Sequence, residues 1–159
     1  MRRVDPREGL GGRADSEPEH LSLKPTRSEP LLLHDGVCVL CNRTMRVVRK
    51  RDRSRTSRFA PLHGETAAAV LAEHPELAGI DSMIWIDTNG QAFTRSAAAL
   101  AIARHLGGGW AILGSLVRIV PTVLRDALYD WVARARHRVF GRHDACPAPP
   151  PDDRARFLP

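Results

Sequence analysis

Apolar residues along the chain fall into short runs and into segments of helical periodicity, which alternate from residue 31 onward. Runs of strand length, bounded by proline, glycine or polar turn residues, predict β-strands at residues 31–34, 57–62, 82–87 and 91–94. Helical periodicity and helix-terminating residues predict helices from Cys38 onward and at residues 65–73, 97–105, 110–120 and 123–140. The predicted order is β-α-β-α-β-β-α, followed by two further helices.

Two connections in this order determine the sheet that the strands can form. The first two strands are joined by a helix, and such a βαβ unit requires a right-handed crossover and parallel pairing. The third and fourth strands are joined by Thr88-Asn89-Gly90, a tight turn typical of an antiparallel hairpin. The sequence therefore predicts an α/β fold: a thioredoxin-like four-stranded mixed sheet with flanking helices and a C-terminal helical extension.

The sequence divides into one domain and two tails. Residues 1–30 hold a glycine pair, four prolines and balanced charges, so we expect a disordered N-terminal tail. Residues 31–145 contain all the predicted strands and helices and are long enough to bury one core. Residues 146–159 are rich in proline, and we expect a loosely held C-terminal tail.

Two of the predicted helices carry apolar faces. The face of the first helix consists of Leu40, Cys41, Met45, Val47 and Val48. It places Cys41 beside the core and leaves Cys38 at the exposed tip of the helix. The face of the last helix consists of Leu124, Leu128, Trp131, Val132 and Ala135. We expect this second face to pack in the core.

The folded part of the chain is the basic part. The net charge is +6, and residues 1–30 contribute nothing to it because their six basic and six acidic side chains cancel. Eight cationic residues lie between positions 43 and 58, opposed by Asp52 alone. We interpret this run as a solvated helix face, with a docking surface for an acidic partner or nucleic acid as the alternative. The absence of interleaved aromatic residues disfavours nucleic acid.

The chain carries no signal for a membrane or for secretion. No apolar run reaches the length of a transmembrane helix, and the N-terminus lacks the apolar segment of a secretory signal. Three cysteines in such a chain favour a catalytic or metal-binding pair in a reducing compartment. We therefore expect a cytoplasmic protein with no membrane span.

The candidate chemistry lies at Cys38 and Cys41, which follow the first predicted strand and open the first helix. Thiols at positions i and i+3 of a helix can bridge with modest adjustment. The helix N-terminus favours an anion at Cys38, so Cys38 is the candidate nucleophile and Cys41 the resolving thiol. The alternative is a pair of buried cysteines that pack as small hydrophobic residues.

Asp35 precedes the first cysteine by three positions and has three candidate roles. Its side chain can cap the turn, exchange a proton with Cys41, or raise the pKa of nearby thiols by its charge. His34 faces the opposite way by strand alternation, and we interpret it as structural.

The segment Asp35-Gly36-Val37-Cys38-Val39-Leu40-Cys41 resembles the signature of the DCC family of predicted thiol-disulfide oxidoreductases. Further similarities to that family begin with the helix opening at Arg95-Ser96. They continue with Pro121, Leu124-Arg125-Asp126, Tyr129, Arg136, Phe140-Gly141-Arg142, Cys146 and the terminal Arg156-Phe157-Leu158. The resemblance implies a thioredoxin-like fold and disulfide exchange by the two motif cysteines. The candidates that it implies for shaping the site by ion pairs or substrate contact are Arg95, Ser96, Arg125, Asp126, Tyr129 and Arg136.

We expect a protein-disulfide oxidoreductase that works in the reductase direction and needs no cofactor beyond its cysteine pair. Its partners would be a disulfide-containing protein or a small thiol substrate, with an electron donor that the sequence does not identify. Two departures from ordinary thioredoxins are the dipeptide Val39-Leu40 between the cysteines and the lack of a proline near Ser82.

Structural roles and a rival site remain open at this stage. Ser96 suits the N-cap of a helix, and Arg125 and Asp126 suit a surface ion pair. His143 and Cys146 have a spacing that, with Cys38 and Cys41, predicts an alternative zinc site in a basic interaction module without catalysis. Cys146 is otherwise a packed tail residue or a second resolving thiol that pairs with Cys38. A further alternative is an adaptor with vestigial cysteines.

Overall fold

A four-stranded mixed sheet forms the centre of the computed structural model, which describes residues 29–144, 146 and 148–159. The strands are β1 (Leu31–His34), β2 (Arg58–Pro61), β3 (Ile84–Ile86) and β4 (Ala92–Thr94). The helices are α1 (Val39–Arg51), α2 (Glu65–Glu73), α3 (Arg95–Leu106), α4 (Gly108–Arg118) and α5 (Thr122–Phe140), with 3-10 helices at Pro75–Leu77 and Pro151–Arg156. Every predicted strand and helix is present, and the N-terminal tail prediction lies outside the described residues except at positions 29 and 30.

The strands are arranged in the order β2-β1-β3-β4. β1 pairs in parallel with β2, as expected for strands connected through α1. β3 is antiparallel to both β1 and β4, and Gly90 in the β3–β4 turn has a φ of 78°, a conformation that glycine adopts readily. The predicted α/β, thioredoxin-like fold is confirmed.

The central strand β1 contributes side chains to apolar layers on both faces of the sheet. Leu31 and Leu33 pack in a cluster that also contains Ala67 and Val70 of α2. Leu32 points to the other face, where its cluster includes Met45, Val48, Trp85, Ala98 and Ile102. Successive side chains of a strand point to opposite faces of the sheet. Because both faces of β1 are buried, Leu31, Leu32 and Leu33 are all apolar.

Helix α5 does not use its apolar face to pack, so that prediction is wrong. Leu124 and Trp131 are 63% and 62% exposed, and Leu128 is exposed as well. The polar side of the helix faces the protein instead, because Asp126 and Arg136 of this side make contacts with α3 and with the motif loop. No helix among the described residues is long and apolar enough to cross a membrane.

The C-terminal segment packs against the domain, which corrects the prediction of a loosely held tail. The Leu158 N–H donates a hydrogen bond to the Phe59 carbonyl at 2.8 Å, so the chain end lies beside β2. The Phe157 ring lies 5.2 Å from that of Phe59, centroid to centroid. Asp153 forms ion pairs with Arg49 and Arg55 of the basic run. The contacts that hold this segment join residues about a hundred positions apart in the sequence. The proline content of the segment gives no indication of such contacts.

Asp52 caps the end of α1 and is buried. Burial by itself raises the pKa of this carboxyl, but hydrogen bonds from Ser54 and Ser57 and the charge of His105 outweigh that effect. The pKa of Asp52 is therefore lowered to about 2. The ionised carboxylate also pairs with Arg156, which ties the C-terminal segment to the end of α1.

We expect the free energy of unfolding to fall as the pH is lowered from about 4 to about 2. The folded carboxyl of Asp52 stays ionised down to about pH 2, whereas its ordinary value is 3.8. Its stabilisation is complete above pH 4, is lost as pH falls through the folded pKa, and amounts to about 2 kcal/mol. Urea unfolding between pH 2 and 5 measures this slope, which Asp52→Asn should flatten and Asp152→Asn, at an exposed carboxyl, should not. An unchanged slope in Asp52→Asn would contradict the assignment.

Candidate redox site

The turn between β1 and α1 is held by the Asp35 side chain. Its Oδ1 accepts hydrogen bonds from the N–H groups of Val37 and Cys38, at 3.0 and 3.3 Å. The Asn42 side-chain amide donates to the Gly36 carbonyl at 2.7 Å and joins the turn to the first turn of α1. The predicted capping role of Asp35 is thus present, and the turn places the two cysteines at the start of the helix.

Cys38 is the N-cap of α1, and its sulfur accepts a hydrogen bond from the Cys41 N–H at 3.4 Å. The two thiols therefore lie side by side at the helix N-terminus. Cys41 is buried, as predicted, but Cys38 is 0% exposed and does not lie at an exposed tip. An isolated β-bridge pairs the backbone of Cys38 with that of Arg142, a residue that follows α5, and the motif alone does not predict this contact.

The two thiols differ in their electrostatic surroundings. Burial, a hydrogen bond with Cys38 and the charge of that sulfur raise the pKa of Cys41 to about 12, while the positive charge of Arg136 acts against the rise. Cys41 therefore holds its proton at neutral pH. The Cys38 sulfur, in contrast, receives an N–H donor at a helix N-terminus, an arrangement that favours an anion.

Helix α5 brings Arg136 and His137 to the motif. The Arg136 guanidinium is buried, with its NH2 atom 3.6 Å from Asp35 Oδ2 and 3.0 Å from Asp81 Oδ2. Burial acts to lower the pKa of Arg136, but the charges of Asp81, Cys41 and Cys38 outweigh it and raise that pKa. A permanent cation thus lies close to both sulfurs.

Sequence reasoning missed His137 and Asp81. His137 Nε2 lies 3.9 Å from Asp35 Oδ2, and one donor atom each of Asp35, Cys38 and His137 lie within 4.8 Å of one another. The sequence offered one indication of His137, which directly follows Arg136, a residue that the family resemblance had already selected. Asp81 lies in a loop without periodicity, and the sequence holds no sign of its contact with Arg136.

An open cleft of about 500 Å³ is lined in part by Arg136 and His137, the two residues of α5 that reach Asp35. Among its lining residues are Asp81, Arg95, Tyr129, Arg134, Arg136 and His137. Arg95 Nε lies 3.4 Å from Asp130 Oδ1. Burial raises the pKa of Tyr129, and a hydrogen bond with Ser82 opposes that rise. Three of the six candidates implied by the resemblance, Arg95, Tyr129 and Arg136, therefore share one cleft, and Arg136 joins this cleft to Asp35 of the motif.

The other three candidates have different surroundings. The Ser96 hydroxyl donates a hydrogen bond to Asp126 Oδ1 and joins α3 to α5. Thr94 is the N-cap of α3, so the prediction of Ser96 as the N-cap is wrong. Arg125 hydrogen-bonds Thr122 at 2.9 Å and forms no ion pair with Asp126. None of these three residues lines the cleft.

The residues of the alternative zinc site do not form a single cluster. Among the described residues, the group of three or more donor atoms close enough to share a metal ion consists of Asp35, Cys38 and His137. Of the four residues in the predicted zinc site, this group contains Cys38. His143 donates its backbone N–H to the Val37 carbonyl at 2.7 Å, and Cys146 lies against Gly36.

Comparisons with known proteins match this combination of fold and motif. The family model described as DCC1-like thiol-disulfide oxidoreductase matches residues 32–142. An uncharacterized protein of Bacillus subtilis (strain 168), YuxK, is 37% identical over 130 residues, which cover 81% of this chain and 93% of that protein. The chloroplastic DCC family protein At1g52590 of Arabidopsis thaliana is 33% identical over 117 residues, 74% of this chain and 68% of that protein. No solved structure matches the chain.

The family match extends from β1 to the residue that bridges Cys38, and it therefore includes the cysteine motif, the cleft and α5. Two relatives above 30% identity agree with it over most of the chain. The chain belongs to the DCC1-like thiol-disulfide oxidoreductase family.

Proposed function

We propose that this protein exchanges disulfides through Cys38 and Cys41, with Cys38 as the nucleophile and Cys41 as the resolving thiol. The observation that carries the proposal is the asymmetry of the pair. Cys38 Sγ accepts an N–H hydrogen bond at the helix N-terminus, while burial holds the pKa of Cys41 at about 12. The hydrogen bond to Cys38 Sγ at the helix N-terminus therefore suits the attacking sulfur, and Cys41 keeps its proton until the second step.

The reaction needs no reagent beyond a disulfide and the two thiols. The Cys38 thiolate attacks one sulfur of a disulfide, forms a mixed disulfide and releases the other sulfur as a thiolate, which takes a proton from water. Cys41 then loses its proton and attacks the Cys38 sulfur, so that the Cys38–Cys41 disulfide forms and the second substrate thiol leaves. The dithiol is oxidised by two electrons and the substrate disulfide is reduced.

The neighbouring charges support this order of events. Arg136 lies close to both sulfurs and stabilises negative charge on them. One donor atom each of His137 and Asp35 and the Cys38 sulfur lie within 4.8 Å of one another, a separation that one intervening water can bridge for proton transfer. Asp35 is the proposed proton acceptor for Cys41, through contact or one intervening water.

We propose the reductase direction, a cytoplasmic location and a disulfide-bearing protein or small disulfide as substrate. The substrate would bind in the cleft of Arg95, Tyr129 and Arg136, and Arg136 joins this cleft to Asp35 of the cysteine motif. No cofactor other than the cysteine pair enters the proposed reaction.

Exchange with 2-hydroxyethyl disulfide, together with titration of the protein in glutathione buffers, tests this function. Wild-type protein should interconvert between dithiol and a Cys38–Cys41 disulfide, and the midpoint of the titration decides the direction. Cys38→Ser should lower the rate by more than about 100-fold, because the nucleophile is removed. Cys41→Ser should form no Cys38–Cys41 disulfide and should leave Cys38 trapped in another disulfide, seen by mass spectrometry. A Cys38→Ser variant that keeps its rate would exclude the proposal.

The second candidate is a zinc-stabilised module, and the closeness of Asp35, Cys38 and His137 is the observation that favours a metal here. The guanidinium of Arg136, 3.6 Å from Asp35, opposes a divalent cation in the same place. Zinc analysis of protein purified without chelator separates the candidates. Stoichiometric zinc and loss of fold on chelation would favour the module, whereas metal-free folded protein would favour disulfide exchange.

A further inference from the structure

The chain that follows α5 lies along the cysteine motif. We call its described part, residues 141–144 and Cys146, the strap. Gly141 ends α5 with a φ of 82° and turns the chain back. Arg142 then bridges Cys38 in antiparallel fashion, and the His143 N–H donates to the Val37 carbonyl at 2.7 Å. The strap therefore covers the buried cysteine with backbone contacts.

The strap also brings a third sulfur to the motif. A Cβ atom built on Gly36 would lie 2.7 Å from Cys146 Sγ and 3.1 Å from Cys146 Cβ. The φ of Gly36 is not in the left-handed region, so the backbone does not require glycine at this position. The sulfur of Cys146 occupies the space that a side chain at position 36 would fill, so any residue larger than glycine there would displace the thiol.

The three thiols differ in how far a partner can reach them. Cys38 and Cys41 are 0% and 5% exposed, whereas Cys146 is exposed. A folded protein carrying a disulfide cannot bring its sulfur atoms to Cys38 while the strap is in place. It can reach Cys146, whose sulfur lies against Gly36, two positions before Cys38 in the motif.

We propose that Cys146 is a relay thiol, which exchanges disulfides with protein partners at the surface and passes them to Cys38. This inference rests on the proposed function of the Cys38–Cys41 pair. It adds that the substrates that react at the strap are disulfides of folded proteins. A small disulfide needs far less room beside Cys38 than a folded protein does, so its reaction does not depend on the relay.

The relay consists of three exchange steps that balance without another reagent. The Cys146 thiolate attacks the partner disulfide, forming a mixed disulfide and releasing the first partner thiol. The Cys38 thiolate attacks the Cys146 sulfur, which forms a Cys38–Cys146 disulfide and releases the second partner thiol. Cys41 then attacks Cys38, forms the Cys38–Cys41 disulfide and returns Cys146 as a thiol.

The surroundings of Cys146 suggest a pH dependence for the first step. Burial and the charge of Asp35 raise the pKa of Cys146. The titratable and charged groups of the strap and of the residues around Asp35 are Asp35, Arg136, His137, Arg142, His143 and Asp144. Reduction of a protein disulfide should therefore speed up as the pH rises above neutral, because more Cys146 becomes thiolate.

Rates with two substrates, measured on the full chain, test the relay. Cys146→Ser should slow the reduction of insulin disulfides by about tenfold or more, since the surface thiol is lost. It should leave the reaction with 2-hydroxyethyl disulfide within about twofold, because that reaction begins at Cys38. Equal losses with both substrates, or no loss with insulin, would overturn the relay. If wild-type protein reacts with neither substrate, the proposed function fails before the relay is tested.

Trapping the intermediate provides an independent test. In Cys41→Ser the Cys38–Cys146 disulfide has no resolving thiol, so peptide mapping under non-reducing conditions should find it after mild oxidation. Gly36→Ala added to this variant should lower its yield, because the new Cβ displaces Cys146. Gly109→Ala is the matched control, since a Cβ there meets no atom within 4 Å. Absence of the Cys38–Cys146 disulfide in Cys41→Ser would also overturn the relay.

Discussion

Replacing Arg156 with methionine should lower the free energy of unfolding by about 3–5 kcal/mol, because it leaves a buried carboxylate without its partner. The Arg156 guanidinium is almost fully buried, with NH2 at 2.7 Å from Asp52 Oδ2. Its Nε donates to the Ser57 carbonyl at 3.0 Å, and the group lies over the Phe59 ring at 5.1 Å. Methionine keeps much of the side-chain volume but supplies none of these donors.

Urea unfolding at neutral pH measures this effect. Arg154→Met is the matched control, because Arg154 is exposed in the same short helix and should change the free energy of unfolding by less than about 0.5 kcal/mol. Arg156→Met should also expose the C-terminal segment to proteases, since the pair with Asp52 attaches this segment to α1. A loss below about 1 kcal/mol would mean that the segment is held mainly by other contacts.

Replacing Arg136 with methionine should slow disulfide exchange at pH 7 by about tenfold or more and move the pH profile of the rate upward by at least one unit. The positive charge of Arg136 opposes the rise in the pKa of Cys41, and the charges of both sulfurs raise the pKa of Arg136. Without it, the negative charge that develops on the thiols has no buried counter-charge. The pH profile of the exchange rate is the direct measurement.

Two further variants separate the effect of the positive charge of Arg136 from the effect of its contacts. Arg136→Lys should restore most of the pH profile if the positive charge is the cause. Arg134→Met removes an exposed arginine that lines the same cleft and should leave the pH profile unchanged. A pH profile of Arg136→Met identical to that of wild type would show that the guanidinium acts only through its contacts with Asp35 and Asp81.

The exposed apolar residues of α5 show where pattern reasoning fails. A helix usually buries its most apolar side, and that rule selected Leu124, Leu128 and Trp131 for the core. The structure places these residues outside because the opposite side carries Arg136 and His137 to the motif loop. Contacts of a functional site can thus determine which face of a helix is buried, and periodicity contains no information about them.

The strands, their order along the chain and the position of the two cysteines at the start of α1 could be predicted from the sequence because each depends on local chemistry. Apolar runs between turn residues define strands, a helix between strands requires parallel pairing, and Asp35 caps the turn that leads into Cys38. The burial of Cys38, the approach of His137 and the location of Cys146 beside Gly36 were decided by the tertiary structure alone. Each of these features joins residues separated by about a hundred positions, and such contacts arise only when the helices and the C-terminal segment pack around the sheet.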